Sequence, residues 1–435
     1  MNTLSCVRLV NLRIICAYEG ELPETSLVIE NGVIGVPGSI SDAHAQYPEI
    51  DCEGMFCSQG FVDLLAEGGE PGNEDKEDFE SLASAAIQGG YSTVCVSPDT
   101  QPVNDARSVT EWIHRRSGLV SLVEILPIAA ATKNLDGQAL ADLFDLKEAG
   151  VAGVQFGRGS IADSGLMRRA YEYAKGLGLL VFERPLDQGL HRGGLMHEGR
   201  WATEAGVKGS PSAAEDVAVS RAIALAHLVQ SPIHIGPLSS GRSVEMVRRA
   251  KADGLPVTAS VNALNLVYTS KTVRDLMHPS LNVIPPLRDE ADRVALLNGL
   301  GDGTIDAISS GHSAQTSADK QRPFEWSTPG ACTLPVVIPL LLDLVRNNEL
   351  ELLTVLSALS KGGRRVLGLD AHPLAEGGGT HLAIVNPDED WEPATTALGS
   401  KGKNLPVFRS QLTGRIHSTL VQGHLHLSTE GGNSC

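Results

Sequence analysis

Several features that mark particular classes of protein are missing from this sequence. It has no excess of basic residues, because 52 Asp and Glu outnumber 35 Lys and Arg and give a formal net charge of −17. Phosphate binding needs clustered Lys and Arg, so we predict no nucleic-acid partner. The seven cysteines include no CxxC pair, which favours reduced thiols over disulfides or a zinc knuckle.

Membrane and secretion signals are also missing. The longest apolar run, Cys332 to Val345, contains two prolines and an aspartate and is shorter than the ~20 residues that span a bilayer. The first twenty residues are interrupted by Arg8 and Arg13 and lack a small-residue cleavage site after an apolar core. We therefore predict a cytoplasmic protein that has no membrane partner.

Short apolar runs recur between longer amphipathic segments throughout the middle of the chain. Eight of them have the length and content of buried strands: 56–66, 91–99, 123–132, 152–157, 179–185, 233–238, 256–264 and 305–313. Parallel strands covered by helices are buried on both faces and are continuously apolar. The alternation therefore predicts an α/β fold, a (β/α)8 TIM-like barrel, over residues 58–374.

The two ends of the chain have a different pattern. Residues 1–57 and 375–435 contain short alternating strands with turns, such as SLVIENGVIG and GRIHSTLVQGHLHL. Two terminal pieces of this size fold most simply as one unit. We predict that they form the two parts of a small β-sandwich domain beside the barrel.

Several longer stretches are specific enough to indicate a family. They are GFVDL with EPG (60–64 and 70–72), AAIQGGYSTVCVSPDTQPVND (85–105), SVEMVRRAKADGLPVTA (243–259), IPPLRDEADRVALLNGLGDGTIDAI (284–308) and SKGKNLP (400–406). In this order they resemble the dihydroorotases of the amidohydrolase superfamily, over nearly the whole chain. The resemblance implies a metal-dependent hydrolase barrel with one or two zinc ions at the carboxyl ends of its strands.

The resemblance also locates the zinc ligands, and this sequence departs from them. Leu65 and Glu67 occupy the two histidine positions of the HxH pair on strand 1, and Glu183, Pro237 and Gly311 occupy ligand positions on strands 5, 6 and 8. Strand 4 offers Gln155, Arg158 and Gly159 where a carboxylated lysine or an aspartate is expected. Leu, Pro and Gly side chains supply no donor to zinc. We therefore predict that zinc is lost and that the chain has no cofactor.

The positions that the resemblance assigns to the substrate differ as well. Gly69 replaces the arginine that clamps the substrate carboxylate, and Asp99 replaces the asparagine of the MPNT motif. An aspartate facing a carboxylate repels it, and the two-donor clamp is gone. We therefore expect these degenerate positions to contain no catalytic residue.

Two other interpretations concern acidic residues near the barrel mouth. Glu67, Glu70 and Glu183 together would suit magnesium or manganese better than zinc, so a substitute metal site is an alternative. Asp63 is retained beside these positions, and we interpret it as a residue that orders the end of a strand.

Together these observations predict a non-catalytic dihydroorotase-like subunit, a pseudoenzyme of de novo pyrimidine (UMP) biosynthesis. By the same resemblance, its partner would be the aspartate carbamoyltransferase catalytic chain, with this chain as a homodimer within a larger hetero-oligomer. Two alternatives stay open. One is an active dihydroorotase or other cyclic amidohydrolase with an altered metal site, and the other is a ligand-binding module that uses the barrel mouth.

Overall fold

The computed structural model describes residues 3–4, 6–120, 122–375, 381–393 and 398–427. The chain begins with short strands that belong to two terminal sheets. They are β1 (Thr3–Leu4), β2 (Cys6–Val10), β3 (Arg13–Cys16), β4 (Gly20–Glu21), β5 (Leu27–Glu30), β6 (Val33–Ile34), β7 (Glu49–Asp51) and β8 (Phe56–Gln59).

The middle of the chain contains the strands of the barrel and one small ribbon. They are β9 (Phe61–Ala66), β10 (Tyr91–Val96), β11 (Glu124–Ala130), β12 (Gly153–Gln155), β13 (Val181–Glu183), β14 (Met196–His197), β15 (Gly209–Ser210), β16 (Ile233–Leu238), β17 (Val257–Asn262) and β18 (Ala307–Ser309). Strands β9 to β13 and β16 to β18 form one eight-stranded parallel sheet in chain order, while β14 and β15 pair with each other. Each of the eight predicted runs contains one of these barrel strands, so the predicted (β/α)8 fold is confirmed.

Strands β19 (Leu382–Trp391), β20 (Leu412–Val421) and β21 (His424–Leu427) complete the terminal sheets. One sheet has the order β1-β21-β20-β19-β8-β3-β4 and the other β6-β5-β2-β7. A separate apolar cluster, which includes Leu9, Ile14 and Ile384, fills the space between them. The predicted β-sandwich is thus present. The exact domain boundaries stay a prediction, and residues 376–380, 394–397 and 428–435 of the predicted C-terminal part lie outside the described residues.

Helices follow most of the barrel strands. They are α1 (Phe79–Gln88), α2 (Arg107–Val120), α3 (Leu143–Glu148), α4 (Ser164–Leu177), α5 (Gln188–His191), α6 (Arg200–Ala205), α7 (Ala213–Val229), α8 (Gly241–Ala252), α9 (Ala263–Val267), α10 (Ser270–Leu276), α11 (Glu290–Gly301), α12 (Ser317–Lys320), α13 (Val337–Arg346), α14 (Leu352–Leu359) and α15 (Lys361–Leu367). Their ends follow ordinary capping chemistry. Helix α4, for example, begins after Asp163, whose carboxylate accepts from two backbone N–H groups, and ends at left-handed Gly178.

The predicted run 56–66 divides at Gly60 into two strands that belong to different sheets. Strand β8 pairs with β19 in the sandwich, whereas β9 pairs with β10 in the barrel. A Cβ at Gly60 would lie 2.7 Å from Ser92 Oγ, so the chain passes between the sheets where only glycine fits. The predicted boundary between residues 57 and 58 lies inside this run, close to the observed division at Gly60.

The barrel closes between its first and last strands through the segments that follow them. Ala66 and His312 form a parallel bridge, and the backbone N–H of Glu67 donates to the His312 carbonyl at 2.8 Å. This contact holds the carboxyl ends of β9 and β18 side by side, at the edge where barrels of this type place their functional residues. Among the described residues, no helix is long and apolar enough to cross a membrane.

Candidate functional site

A cleft of about 550 Å³, including its opening, lies at the carboxyl ends of the barrel strands. Its lining comes from the segments that follow β9, β12, β13, β17 and β18. The residues are Leu65, Glu67, Arg158, Arg184, Asn262, Leu264, Asn265, Val283, Ile284, Ser310, Gly311, His312, Ser313, Pro329 and Gly330. The lining therefore combines apolar side chains with charged and amide side chains.

Two arginines and two carboxylates form a charged group in this cleft and in the one beside it. Arg158 Nη2 lies 2.9 Å from Glu67 Oε1, and the Ser313 hydroxyl donates to Glu67 Oε2 at 2.6 Å. Asp99, in the adjoining cleft, lies 3.8 Å from Arg158 Nε and 4.0 Å from Arg184 Nη1. The Glu67 carboxylate raises the pKa of Arg158.

Four polar atoms around the charged group are buried and have no hydrogen-bond partner within the described part of the chain. They are Arg184 Nη1, Asp99 Oδ2, Asn262 Oδ1 and Asn265 Oδ1. Burial lowers the pKa of Arg184, which shows how little solvent reaches its guanidinium. Buried polar groups in folded proteins are nearly always paired, so one unused donor and three unused acceptors here point to a ligand or bound water.

Strand β13 presents Arg184, and not Glu183, to this cleft. Phe182 lies in the interior cluster of the barrel, and alternation places the side chain two residues later on the same face. Glu183 instead accepts from the Ser160 hydroxyl at 2.5 Å and the Tyr171 hydroxyl at 3.3 Å, and burial raises its pKa to about 7. The predicted strand 5 position, Glu183, therefore does not line the cleft, whereas its neighbour Arg184 does.

Neighbouring atoms close two other predicted positions to side chains: backbone atoms at Gly69 and the side chain of Asn262 at Gly311. Gly69 has φ +71°, and a Cβ there would lie 2.1 Å from the Glu77 carbonyl oxygen. Gly311 has φ +64°, and its Cβ would lie 2.7 Å from the amide carbon of Asn262. Pro237 is buried within β16 and does not line the cleft. No side chain from these three positions can reach a ligand.

The structure does not bring the three predicted glutamates together. Glu67 lies in the cleft, but Glu70 pairs with Arg116 at 2.8 Å and accepts from the Phe79 N–H at 2.9 Å. Glu183 lies among the buried groups outside the cleft, as described above. In the ranges that the structure describes, no group of three or more His, Cys, Asp or Glu is placed to hold a metal ion.

His312, the histidine retained at the end of strand 8, is held by a buried partner that the sequence did not reveal. Its Nε2 lies 3.0 Å from Glu77 Oε2, and its Nδ1 accepts from the backbone N–H groups of Thr333 and Leu334 at 3.2 and 3.4 Å. Nδ1 is therefore the acceptor nitrogen, and Nε2 donates to Glu77. Although burial raises the pKa of Glu77, its hydrogen bonds to His312 and two serines outweigh that effect and lower it.

The residues present do not fit the zinc centre that the resemblance implies. Of the positions that the resemblance assigns to ligands, Leu65, Pro237 and Gly311 supply no donor. Glu67 supplies a carboxylate, but the Arg158 guanidinium is paired with it and the Arg184 guanidinium lines the same cleft. A guanidinium has no acceptor lone pair and cannot bind a cation. We therefore derive no reaction step through a metal ion.

Comparison with known proteins gives a consistent result. A family model described as Dihydro-orotase-like matches residues 54–243. The chain is 35% identical over 413 residues to a protein of Geobacter sp. strain M21 named dihydroorotase, covering 95% of this chain and 97% of the relative. It is 36% identical over 406 residues to a dihydroorotase of Syntrophus aciditrophicus, covering 92% and 94%.

Solved structures agree in fold. The L-hydantoinase (dihydropyrimidinase) of Arthrobacter aurescens superposes with a TM-score of 0.85 over 99% of this chain and 97% of its own, at 20% identity. A dihydropyrimidinase of Brevibacillus agri NCHU1002 superposes with a TM-score of 0.81 at 18% identity, covering 97% and 94%. At this identity the likeness concerns the fold alone.

These relatives correct two predictions made from the sequence. The prediction of a non-catalytic chain, a pseudoenzyme, is wrong, because full-length relatives at about 35% identity are named as enzymes. The prediction that the chain has no cofactor is wrong with it, because that prediction was inferred from an inactive site. The misfit of the cleft residues to a zinc centre is a separate finding and does not make the chain free of cofactors. The physical reason for the error is that the prediction considered only the family's ligand positions, one at a time. The structure shows that other polar groups lie together in the same cleft.

Proposed function

We propose that this chain, which belongs to the dihydroorotase family, is a cyclic amide hydrolase that interconverts dihydroorotate and carbamoyl aspartate at the cleft of its barrel. The observation that carries the proposal is the identity of about 35% over 95% of the chain with a protein that bears this name. Loss of function would leave the fold but would not require a cleft lined with unpaired polar groups.

The polar groups of the cleft suit a ring that contains an amide. The side-chain oxygens of Asn262 and Asn265 are unused acceptors for ring N–H groups, and Arg184 Nη1 is an unused donor for an oxygen. The apolar wall, with Leu65 and Leu264, covers the face of a ring. The cleft therefore offers complementary contacts to every part of a small cyclic amide.

Hydrolysis adds water to the ring carbonyl, breaks the C–N bond and moves one proton to the departing nitrogen. Negative charge develops on the carbonyl oxygen, and a fixed cation beside it stabilises that charge. Arg158 is the half-buried cation at the cleft, and Glu67 is the carboxylate beside it. We assign to Glu67 the acceptance of the proton from the attacking water and its delivery to the departing nitrogen.

The test is turnover by the purified full-length chain. Ring opening of dihydroorotate, dihydrouracil and hydantoin is measured by chromatography, with and without added zinc, for the wild type and for Glu67→Gln. We expect dihydroorotate to be opened and kcat to fall by about 100-fold in the variant. Glu172→Gln, which changes an exposed glutamate of α4, is the matched control and leaves kcat unchanged.

Absence of turnover above the uncatalysed rate under every condition would overturn the proposed activity. If Glu67→Gln retains the wild-type kcat while the wild type is active, the role assigned to Glu67 is wrong although the activity stands.

A further inference from the structure

We infer that Arg184 binds the carboxylate of the cyclic amide, and so takes over a role that the family assigns to an arginine at the position of Gly69. This inference rests on the proposed function and names the residue that recognises the negative charge of the substrate. The inference depends on three features of the cleft: a closed position, an unused donor and a matched counter-charge.

The closed position is Gly69. Because a Cβ at this residue would lie 2.1 Å from the Glu77 carbonyl oxygen and 3.0 Å from the Asn73 carbonyl oxygen, the loop leaves no path for a side chain. The backbone conformation at φ +71° also disfavours any residue with a Cβ. A carboxylate clamp cannot be rebuilt there, so an anionic substrate needs a cation from another strand.

The unused donor is Arg184 Nη1. Its side chain is 10% exposed and lines the cleft, yet its nearest carboxylate oxygen, Asp99 Oδ2, is 4.0 Å away. That distance permits attraction but exceeds a hydrogen bond. Asp99 Oδ2 has no hydrogen-bond partner either. The Arg184 guanidinium is therefore attracted to the Asp99 carboxylate without forming a hydrogen bond to it. An incoming carboxylate oxygen would complete the missing hydrogen bond.

From the sequence, Asp99 was expected to repel an anionic substrate. The structure shows that two arginines lie beside its carboxylate. Asp99 lies within 4.0 Å of both Arg158 and Arg184, and Glu67 neutralises Arg158 from the other side. Two cations and two carboxylates balance, so the cleft itself has no excess negative charge. Asp99 still competes with a ligand for Arg184, and removing its charge should therefore tighten the binding of an anion.

The remaining groups place the ring. Leu65, Leu264, Val283 and Ile284 supply apolar contacts in the same cleft as Arg184, and the unpaired oxygens of Asn262 and Asn265 can accept from ring N–H groups. A planar heterocycle with N–H groups and one carboxylate uses all of these features. A neutral ring of the same shape leaves Arg184 Nη1 without a partner.

The experiment compares two rings that differ only in the carboxylate. Orotate and uracil are titrated calorimetrically into the wild type, Arg184→Met and Asp99→Asn at low ionic strength. Arg168→Met, which makes the same chemical change on exposed α4, is the control. Circular dichroism and melting temperature confirm that each variant is folded. For dihydroorotate, KM and kcat are measured on the same samples.

We expect the wild type to bind orotate at least about tenfold more tightly than uracil, because a charge-assisted hydrogen bond is gained. Arg184→Met should abolish that preference, Asp99→Asn should increase it, and Arg168→Met should leave it unchanged. In turnover, Arg184→Met should raise KM for dihydroorotate.

Equal binding of orotate and uracil by the wild type, or a preference that survives in Arg184→Met, overturns the inference. An orotate affinity that falls in Asp99→Asn does so too. The proposed function is tested separately. If orotate binds through Arg184 but dihydroorotate is not turned over, the activity is refuted and the carboxylate site stands. If dihydroorotate is turned over and its KM is unchanged in Arg184→Met, the activity stands and the role of Arg184 is refuted.

Discussion

Asp63 on the first barrel strand accepts two hydrogen bonds from Ser310, which follows the last strand. The Ser310 backbone N–H donates to Asp63 Oδ1 at 2.7 Å and its hydroxyl donates to Oδ2. The two residues are 247 positions apart in sequence and are both fully buried. This pair joins the first and last strands of the barrel, β9 and β18, beside the cleft. It confirms the interpretation of Asp63 as a residue that orders the strand end.

From the burial of the Asp63 carboxyl we predict that the stability of the protein depends on pH. Burial raises the pKa of Asp63 from 3.8 to about 6, although the hydrogen bonds from Ser310 oppose the rise. Well below pH 3.8 the carboxyl is protonated in both states and its contribution to stability is complete. Between about pH 4 and 6 the unfolded state ionises while the folded state keeps its proton, so about 3 kcal/mol of stability is lost by the time the folded carboxyl ionises near pH 6.

This prediction is checked with Asp63→Asn, which cannot ionise. The free energy of unfolding in urea is measured between pH 4.5 and 7.5 for the wild type and the variant. Relative to the variant, the wild type should lose stability as pH rises over this interval. Asp253→Asn, at an exposed helix end, is the control and should follow the wild type. A difference between wild type and Asp63→Asn that is independent of pH contradicts the assignment.

Glu77 connects the barrel to the segment between β19 and β20, and its charge is required for this. Hydroxyls of Ser81 and Ser400, the N–H of Lys401 and the ring of His312 all donate to its carboxylate. In Glu77→Gln an amide NH2 would face some of these donors. We expect a loss of about 2–4 kcal/mol in the free energy of unfolding. The measurement is urea unfolding, with Glu172→Gln changing by less than ~0.5 kcal/mol. Equal stability of the two variants would show that the network is dispensable.

The closed position at Gly69 can be tested without any ligand. Gly69→Ala should destabilise the protein by at least ~2 kcal/mol, because left-handed strain adds to a clash with the Glu77 carbonyl oxygen. Gly178→Ala is the matched control: it has φ +67° with no atom within 4 Å of its Cβ, so only the strain of about 1 kcal/mol applies. Thermal and urea unfolding compare the two. If the two substitutions lower the free energy of unfolding equally, a side chain fits at position 69. An arginine could then bind the substrate carboxylate from that position, and no cation from another strand, such as Arg184, would be needed.

Assembly stays a prediction that the single chain does not test. We propose a homodimer that associates with the aspartate carbamoyltransferase catalytic chain, which fits a net charge of −17 if the partner offers a basic patch. Co-expressed chains should elute together in size-exclusion chromatography with light scattering at low salt, and separate as salt screens the contact. Separate elution at micromolar concentration and low salt contradicts the proposal.

The barrel was predictable because its strands are buried on both faces, which leaves a run of apolar residues for each. The same apolar continuity made the run 56–66 look like one strand, although the predicted boundary between residues 57 and 58 lies close to the observed division at Gly60. Arg184 was missed because the resemblance directed attention to its neighbour Glu183. Glu77 was missed for a different reason: its partner His312 lies 235 residues away, and only folding brings the two together.

The most direct measurement of the central claim is the approach to equilibrium between dihydroorotate and carbamoyl aspartate, followed by carbon-13 NMR from both directions with the purified full-length chain. We expect both mixtures to reach the same composition, at rates that are proportional to the concentration of the chain and reduced in Glu67→Gln. Rates equal to the uncatalysed reaction at every protein concentration, from both directions, would contradict it.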